Sequence, residues 1–473
     1  MSLPEIREIL DFLRSAEPEM LERMGEGAVL AAFRSAAAEV PAYRDLLARG
    51  GVDPAAITDI ETFRARVPLT DKATMFRAYP LHELFRGGSL DGIKSFVPSS
   101  GLSGAFAFSG DTAEGFQLAA KGADLALEYT LGFSKRRALL INTYPMGLQV
   151  PTSMAVANTG VNADVAIAMV RACAPYFEQL VVVSQPLFAK KLLEDGAEQG
   201  VDWKAHRTTL VAGGEGFVES WRTYISGLLG IADPDNPTET FVASSMGAGE
   251  LGLNLFHEVP ETIRIIRRAY RDRAFRAALL GVDIPYTPHF FVYYPMRSFV
   301  EDISVEGSPV GELAVSLASA DLAMPQFRYR TGDLVRIVPF GRLAEVLARH
   351  APDLAPPGLR LPCVAVFGRR GGLAIGGQIV TVELAKEALF ADPELARAAT
   401  GFFRVSPGHA GRLSLEVQIR QAQAASGELR DRLAAVLGAY LPGLDYAVRL
   451  YAFQDFPYPT SYERKHAYLA SHP

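Results

Sequence analysis

The sequence has little cysteine, no long apolar run and no strong charge of either sign. Its two cysteines, Cys173 and Cys363, lie far apart, which excludes a multi-cysteine zinc site and predicts a reducing, cytoplasmic setting. No uncharged apolar run reaches the roughly 18 residues of a membrane-spanning helix, and the start of the chain lacks the pattern of a signal peptide. The net charge of −6 argues against a general nucleic-acid-binding protein. We therefore expect a cytoplasmic protein whose partner is neither a membrane nor a nucleic acid.

Several common catalytic motifs are also missing from the sequence. It contains no GxxxxGK[ST] phosphate loop, no HExxH zinc pair and no GxSxG nucleophile turn. The eight histidines form no closely spaced pair of metal ligands. These absences argue against a P-loop nucleotidase, a zinc protease and a serine hydrolase of the α/β type.

The pattern of apolar residues predicts an α/β fold. The 473 residues, of which 49% are hydrophobic, are too many for one core and predict two or more domains. Helical spacing marks residues 4–50, and strand and helix patterns then alternate, which predicts a mostly parallel sheet with helices on its faces. The predicted strands are 137–143, 164–170, 180–184, 208–212 and 238–244, and the predicted helices include 71–76, 112–131, 186–198 and 217–229.

The second half of the chain predicts two smaller units. Short strand patterns beyond residue 289 predict a β-rich, barrel-like part at about residues 289–340. The glycine-rich stretch 368–377 predicts a hinge-like linker, followed by a small α+β segment. We predict a large N-terminal domain over residues 1–368 and a small C-terminal domain over residues 369–473.

A long basic helix is predicted over residues 261–280. Its arginines either contact a polyanion or a partner, or they form a solvated charged face. We favour the solvated face, because charge runs on helices are usually exposed to solvent.

A serine- and glycine-rich loop occupies residues 99–104, directly after an apolar-leaning stretch. Because glycine tolerates positive φ, the loop can turn sharply and direct several N–H and O–H donors at one point, which suits a phosphate oxygen. Taken alone, the loop more often indicates a hairpin turn, and the phosphate site is the alternative.

Two further glycine motifs carry acidic residues. Asp333 follows Thr331 and Gly332, and it can accept two hydrogen bonds from a diol such as ribose, although a polar turn is the alternative. Residues 247–252 match GxGxxG, but the missing helix pattern after them argues against dinucleotide binding. Glu250 within this match is a suitable Mg²⁺ ligand beside a triphosphate.

Taken together, these motifs resemble those of the AMP-forming acyl-CoA synthetase superfamily, and the sequence looks most similar to the phenylacetate–CoA ligase branch. The resemblance runs through nearly the whole chain. It implies an ATP-dependent enzyme that converts a small carboxylic acid, which we expect to be aromatic, into an acyl-adenylate and passes the acyl group to CoA. The segments that carry it are residues 40–44, 68–72, 99–104, 246–250, 311–313, 324–328, 329–333 and 368–369.

The resemblance also implies a role for each motif residue. Lys465 would be the C-terminal catalytic lysine, Asp333 would bind the ribose hydroxyls, and Arg369 would assist at the ribose or a phosphate. Glu250 would bind Mg²⁺, and the C-terminal domain would rotate about residues 370–372 for transfer to CoA. The phosphates of ATP would be held by Ser99, Ser100, Gly101, Ser103 and Gly104. The adenine side would be formed by Gly214, Glu215, Gly216, Ser245, Met246 and Gly247, and the acyl pocket by Tyr144, Met146 and Gly147.

Some positions differ from the family pattern. Leu102 and Ser103 stand where the family has two threonines, and Gly371 stands where it has an acidic hinge residue. These differences leave two alternatives open. One is an adenylating enzyme with another acceptor, such as a carrier-protein thiol or an amine, and the other is a nucleotide-binding protein without catalysis.

Overall fold

The computed structural model describes residues 3–98, 107–409 and 412–470. The helices in these ranges are α1 (Leu3–Ser15), α2 (Pro18–Glu39), α3 (Pro41–Arg49), α4 (Ile60–Arg66), α5 (Ala113–Leu131), α6 (Ala163–Cys173), α7 (Pro186–Glu198), α8 (Glu219–Leu228), α9 (Pro260–Arg271), α10 (Arg273–Leu280), α11 (Phe340–His350), α12 (Val382–Ala391), α13 (Pro393–Ala398) and α14 (Gly427–Tyr440). Short 3-10 helices lie at Pro54–Ala56, Leu81–Leu84, Arg86–Gly88, Phe133–Lys135 and Ala174–Tyr176. Across the three ranges, no helix is long and apolar enough to cross a membrane.

The strands in the same ranges are β1 (Ser95–Pro98), β2 (Phe108–Asp111), β3 (Ala138–Asn142), β4 (Ala155–Asn158), β5 (Gln179–Ser184), β6 (Thr208–Gly213), β7 (Val242–Ala248), β8 (Gly252–His257), β9 (His289–Val292), β10 (Ser298–Ile303), β11 (Gly311–Leu317), β12 (Tyr329–Val338), β13 (Cys363–Arg369), β14 (Leu373–Ile375), β15 (Gln378–Val380), β16 (Ala399–Pro407), β17 (Leu413–Ile419) and β18 (Tyr446–Tyr451).

Several helix ends follow directly from local chemistry. α4 begins after Asp59, whose side chain accepts a hydrogen bond from the backbone N–H of Thr62 at 2.8 Å. α5 begins after Thr112 in the same way and ends at Gly132, which adopts the left-handed conformation with φ 58°. α7 begins at Pro186, a residue well suited to the first helical position.

Eleven strands form one mixed sheet in the order β10-β11-β12-β13-β9-β8-β7-β6-β5-β3-β4. Neighbouring strands from β4 through β3, β5 and β6 to β7 are parallel, and β7 then turns back into antiparallel β8. This mixed α/β arrangement confirms the predicted fold class. The strands of the predicted β-rich part are antiparallel, but they continue the large sheet through the pairing of β8 with β9 instead of forming a separate barrel.

Two predicted elements are of the wrong type. Residues 164–170, predicted as a strand, lie in α6, where Asn162 caps the helix by accepting from the N–H of Val165 at 3.1 Å. A short apolar run fits a buried helix as well as a strand, and only the surrounding structure decides between them. Residues 71–76, predicted as a helix, form turns around Asp71.

The basic segment at residues 261–280 forms two helices instead of one. Asp272 ends α9 and caps α10 by accepting from the N–H of Phe275 at 2.9 Å. The charged face of this basic segment is not simply solvated, because Arg267 is buried and donates to Glu219 at 3.2 Å and to Asp235 at 2.6 Å. Leaving one member of such a buried pair alone costs about 3–5 kcal/mol. Arg267 therefore anchors α9 to α8.

Residues beyond 369 share a hydrophobic core with the parallel half of the sheet. Phe188 of α7 belongs to the same buried cluster as Phe402 of β16. Lys190 of α7 is 0% exposed and donates to the carboxylate of Glu194 and the backbone carbonyl of Ala399, each at 2.7 Å. The contact between the two predicted domains is thus a packed core crossed by the buried hydrogen bond from Lys190 to Ala399, and the boundary at residues 368–369 stays a prediction.

Glu387 of α12 caps α8 across this contact. Its carboxylate accepts from the backbone N–H groups of Glu219 at 3.2 Å and Ser220 at 3.3 Å, the first residues of α8. Burial raises the pKa of Glu387 to about 7, although hydrogen bonds from α8 oppose this shift. The native state therefore binds the proton of Glu387 more tightly than the unfolded chain does.

We predict that Glu387 makes the protein less stable as the pH rises. The stabilisation by its proton is fully present below the ordinary pKa of 4.5 and is lost as the pH passes about 7. From pH 5 to pH 8, the free energy of unfolding of the wild type should fall relative to that of Glu387→Gln by on the order of 2 kcal/mol. Urea unfolding across this range measures the difference, with Glu428→Gln, an exposed site on α14, as the control. Parallel pH profiles of wild type and Glu387→Gln would contradict the prediction.

Candidate active site

A cavity of about 510 Å³ lies at the carboxyl ends of β5, β6 and β7. Ligands of parallel α/β sheets bind at this edge. The other walls are the turn between β7 and β8, the facing parts of β12 and β13, and the segment that contains Lys465. The predicted site residues that line the cavity are Gly214, Glu215, Gly216, Ser245, Met246, Gly247, Glu250, Asp333, Arg369 and Lys465.

The predicted phosphate loop cannot be placed in the cavity directly. Val97 and Pro98, at the end of β1, line the cavity and lead up to the point where that loop begins. The loop residues predicted to hold the phosphates all lie outside the described ranges: Ser99, Ser100, Gly101, Ser103 and Gly104.

Glycine is required where β6 ends. A Cβ atom at Gly213 would lie 2.2 Å from the hydroxyl oxygen of Tyr144, and Gly214 has a φ of +85°. The predicted acyl-pocket residues Tyr144 and Met146 line the cavity, whereas Gly147 is not among the lining residues. The absence of a side chain at Gly213 therefore lets Tyr144 pack against the end of the strand.

The GxGxxG match is the turn of a β-hairpin. Residues 242–248 and 252–257 pair as antiparallel strands, and a Cβ atom at Gly247 would lie 2.8 Å from the carbonyl oxygen of Gly252. A dinucleotide site requires a helix after the glycines, and here a strand follows instead. The turn carries Glu250 into the cavity wall.

One carboxylate oxygen of Glu250 has no hydrogen-bond partner. The residue is 5% exposed, and its Oε1 accepts from the hydroxyl of Tyr329 at 3.0 Å and lies 3.7 Å from Nζ of Lys72. Its Oε2 is buried and has no hydrogen-bond partner. Such an oxygen suits a hard cation such as Mg²⁺. No group of three or more acidic, histidine or cysteine side chains in the described chain could hold a metal, so the other ligands would come from a nucleotide and water.

Two cations and two carboxylates meet opposite Glu250. Asp333 and Arg369 are paired residues of β12 and β13, with Arg369 Nε 3.8 Å from Asp333 Oδ1. Burial raises the pKa of Asp333, and the charge of Arg369 opposes this shift. Burial and the charge of Arg369 lower the pKa of Lys465, against the attraction of Asp333 and Glu215. The cluster brings two cationic groups beside the Asp333 carboxylate, an arrangement suited to a charged, polyoxygenated ligand.

The segment around Lys465 is anchored just after that residue. Tyr468 donates from its hydroxyl to Glu215 at 3.1 Å, and its backbone carbonyl accepts from Val405 of β16 at 2.7 Å. Lys386 of α12 donates to the carbonyl of Gly216 at 2.8 Å and lies 4.4 Å from the centre of the Tyr468 ring. These contacts hold Lys465 over the cavity.

Several lining residues were not predicted from the sequence. Tyr468 and Lys386 line the cavity, but a tyrosine near the C-terminus and a lysine within an apolar helix carry no motif. Lys72 lies in segment 68–72, which was identified only as part of the family resemblance. His257 ends the second strand of the β-hairpin and had no sequence signal.

The deeper half of the cavity is apolar and extends between α5 and the sheet. Along β7, lining residues run from Ser245 to Phe241, a distance of about 13 Å at the usual rise per strand residue. Glu258 lines the cavity beside Ser244, but its carboxylate is paired with the buried Arg222. The apolar half therefore suits the uncharged body of a ligand. The apolar residues that line it include Ala123, Ala126, Leu127, Leu131, Leu140, Val150, Val183, Val211, Phe241 and Ala243.

Comparisons with known proteins support the fold. No protein-family model and no curated protein sequence matches this chain. The chain is similar to 2-hydroxyisobutyryl-CoA ligase in the postadenylation state in complex with R3-HIB-AMP, with 15% identity, a TM-score of 0.67, and coverage of 94% of this chain and 88% of that chain. It is also similar to that ligase in the thioesterification state with 2-HIB-AMP and CoA, with 16% identity, a TM-score of 0.56, and coverage of 96% and 90%.

A solved structure of a second ligase supports the same fold. The anthranilate-CoA ligase AuaEII in complex with anthranoyl-AMP shares 13% identity with this chain, with a TM-score of 0.51 over 86% of this chain and 74% of that chain. The chain thus has the fold of AMP-forming acyl-CoA ligases.

We expect Asp333→Ala to weaken the binding of ATP by about 10–100-fold, because two hydrogen bonds from the ribose hydroxyls to a charged group would be lost. Isothermal titration with ATP and Mg²⁺ measures the dissociation constant. The matched control is Asp321→Ala, an exposed aspartate that does not line the cavity. Equal affinities for the two variants and the wild type would remove Asp333 from the nucleotide site.

Proposed function

We propose that this protein activates a carboxylic acid with ATP, releases pyrophosphate and passes the resulting acyl-adenylate to the thiol of CoA. The observation that carries the proposal is the division of one cavity into two halves. Lys465, Asp333 and Glu250 lie around the polar half, and an apolar half lies directly behind it. Solved structures with this fold that hold R3-HIB-AMP and anthranoyl-AMP support the same chemistry.

In the first step, adenylate formation, each part of the cavity has a separate role. The apolar half takes the body of the acid, so that its carboxylate faces Lys465. A carboxylate oxygen attacks the α-phosphorus of ATP, the bond to the β-phosphate oxygen breaks, and pyrophosphate leaves with that oxygen. Lys465 stabilises the charge that develops between the carboxylate and the α-phosphate, and Asp333 and Arg369 hold the ribose and phosphate in line. Mg²⁺ bound at Glu250 would neutralise the triphosphate.

The identity of the acid follows in part from the pocket. The apolar lining disfavours a second charged group, because burying an unpaired charge is costly and the carboxylate of Glu258 is already paired with Arg222. Within the superfamily we propose the phenylacetate–CoA ligase branch and a small aromatic acid, on the strength of motifs 40–44, 68–72 and 324–328.

The acceptor has a second candidate. Gly371 replaces the usual acidic hinge residue, and residues beyond 369 are held to α7 by a shared core and by the buried Lys190. The shared core opposes a large rotation of the C-terminal residues. An acceptor that reaches the adenylate without this rotation, such as an amine or a carrier-protein thiol, is therefore the alternative to CoA.

A pyrophosphate-release assay over a panel of acids, with and without CoA, tests the proposal. We expect release that requires both acid and ATP, and that CoA accelerates. Lys465→Ala should lower the rate by about 100-fold or more, because it removes charge stabilisation in the transition state. Lys121→Ala, on the exposed side of α5, is the control. Binding of ATP without pyrophosphate release in the presence of any acid would contradict the proposal. Pyrophosphate release at a rate that CoA does not change would favour the second acceptor.

A further inference from the structure

His257 is a polar side chain without a partner in the wall of the cavity. It is the last residue of β8, it is 5% exposed, and it lines the cavity. Neither Nδ1 nor Nε2 has a hydrogen-bond partner. A buried polar group left unpaired costs about 1–3 kcal/mol, so its retention calls for a ligand or a water that pairs with it.

The strand register places His257 beside the acyl part of the cavity. His257 lies directly opposite Ser245 in the pairing of β8 with β7. Because alternate strand residues share a face, Ser245, Ala243 and Phe241 line the same side, which faces α5. His257 is therefore level with the upper end of the apolar half, close to the polar half, and Phe241 marks the deep end.

The ring of His257 is fixed and neutral. It stacks on Tyr294 with ring centres 5.6 Å apart and planes 28° apart. Burial and the charge of Arg297 lower the pKa of His257 to about 3. At neutral pH the ring therefore offers one N–H donor and one nitrogen acceptor, and no charge.

We propose that His257 hydrogen-bonds a hydroxyl group of the acid, so that the substrate is a hydroxylated carboxylic acid with an otherwise apolar body. This inference rests on the proposed function and names the class of its acid. A hydroxyl both donates and accepts, so it pairs with either ring nitrogen in either tautomer. The apolar lining disfavours an ammonium or a second carboxylate in its place, since the carboxylate of Glu258 is already paired with Arg222.

The level of His257 also sets where the hydroxyl lies on the acid. Since His257 is opposite Ser245, at the polar end of the pocket, the hydroxyl belongs near the carboxyl group. The remaining apolar body extends toward Phe241. The acids expected to fit are 2- or 3-hydroxy aliphatic acids and ortho- or meta-hydroxylated aromatic acids.

The test compares matched acids that differ only in the hydroxyl. Benzoate is compared with 2- and 3-hydroxybenzoate, and hexanoate with 2- and 3-hydroxyhexanoate, by kcat/KM for pyrophosphate release without CoA and by calorimetric affinity. We expect at least one hydroxylated acid to be preferred by about 10–100-fold in the wild type. His257→Leu should lower kcat/KM and affinity for that acid alone and bring the preference near one.

Two further variants separate recognition from structure. His257→Gln retains a donor and an acceptor and should keep part of the preference. Tyr294→Phe keeps the stacked ring and should leave the preference unchanged, because Tyr294 does not line the cavity. If His257 had only a structural role, His257→Leu would lower the rates for all acids together.

The outcomes distinguish this inference from the proposed function. Pyrophosphate release with equal kcat/KM for parent and hydroxylated acids in both wild type and His257→Leu would overturn the inference and leave the function intact. With no pyrophosphate from any acid, the function fails, and calorimetry still decides the inference. Tighter, His257-dependent binding of the hydroxylated acid supports it, and equal binding, as expected if a water pairs with His257, overturns it.

Discussion

The packing of the C-terminal residues onto the parallel half of the sheet is the constraint on which the site depends. Lys465 contributes to the cavity only because Tyr468 is tied to Glu215 and to β16, while Lys386 binds the carbonyl of Gly216. Beneath these contacts, Lys190 is completely buried between Glu194 and the backbone of residue 399. Lys465 is therefore positioned before a ligand arrives, which lowers the free-energy cost of aligning two reacting groups.

The same sheet also separates the two environments of the cavity. Where β7 turns back into β8, the hairpin presents Glu250 to the polar half, and the preceding residues of β7 line the apolar half. Below the turn, Glu258 and Glu219 are bound by the buried Arg222 at 2.8 Å and 2.9 Å, which fixes the chain just beyond His257. One hairpin thereby joins the polar chemistry to the pocket that would select the acid.

Sequence patterns predict those parts of the structure that local chemistry controls. The start of α7 at Pro186 and the cap of α4 at Asp59 follow from single residues, and the motif residues Glu250, Asp333, Arg369 and Lys465 do line one cavity. Features that depend on distant partners could not be predicted. Arg267 is buried only because α8 supplies Glu219, and residues 164–170 are helical because of their surroundings. His257 became a candidate only once its burial and its unpaired nitrogens were known.

Exchange of labelled pyrophosphate into ATP, measured without CoA or any other acceptor, tests reversible adenylate formation most directly. Exchange requires that an acid, ATP and the charged half of the cavity act together, and it does not depend on the nature of the acceptor. We expect exchange that appears only when a suitable acid is added and that Lys465→Ala abolishes. Absence of exchange with every acid, under conditions in which ATP binds, would contradict the account of this cavity as an adenylating site.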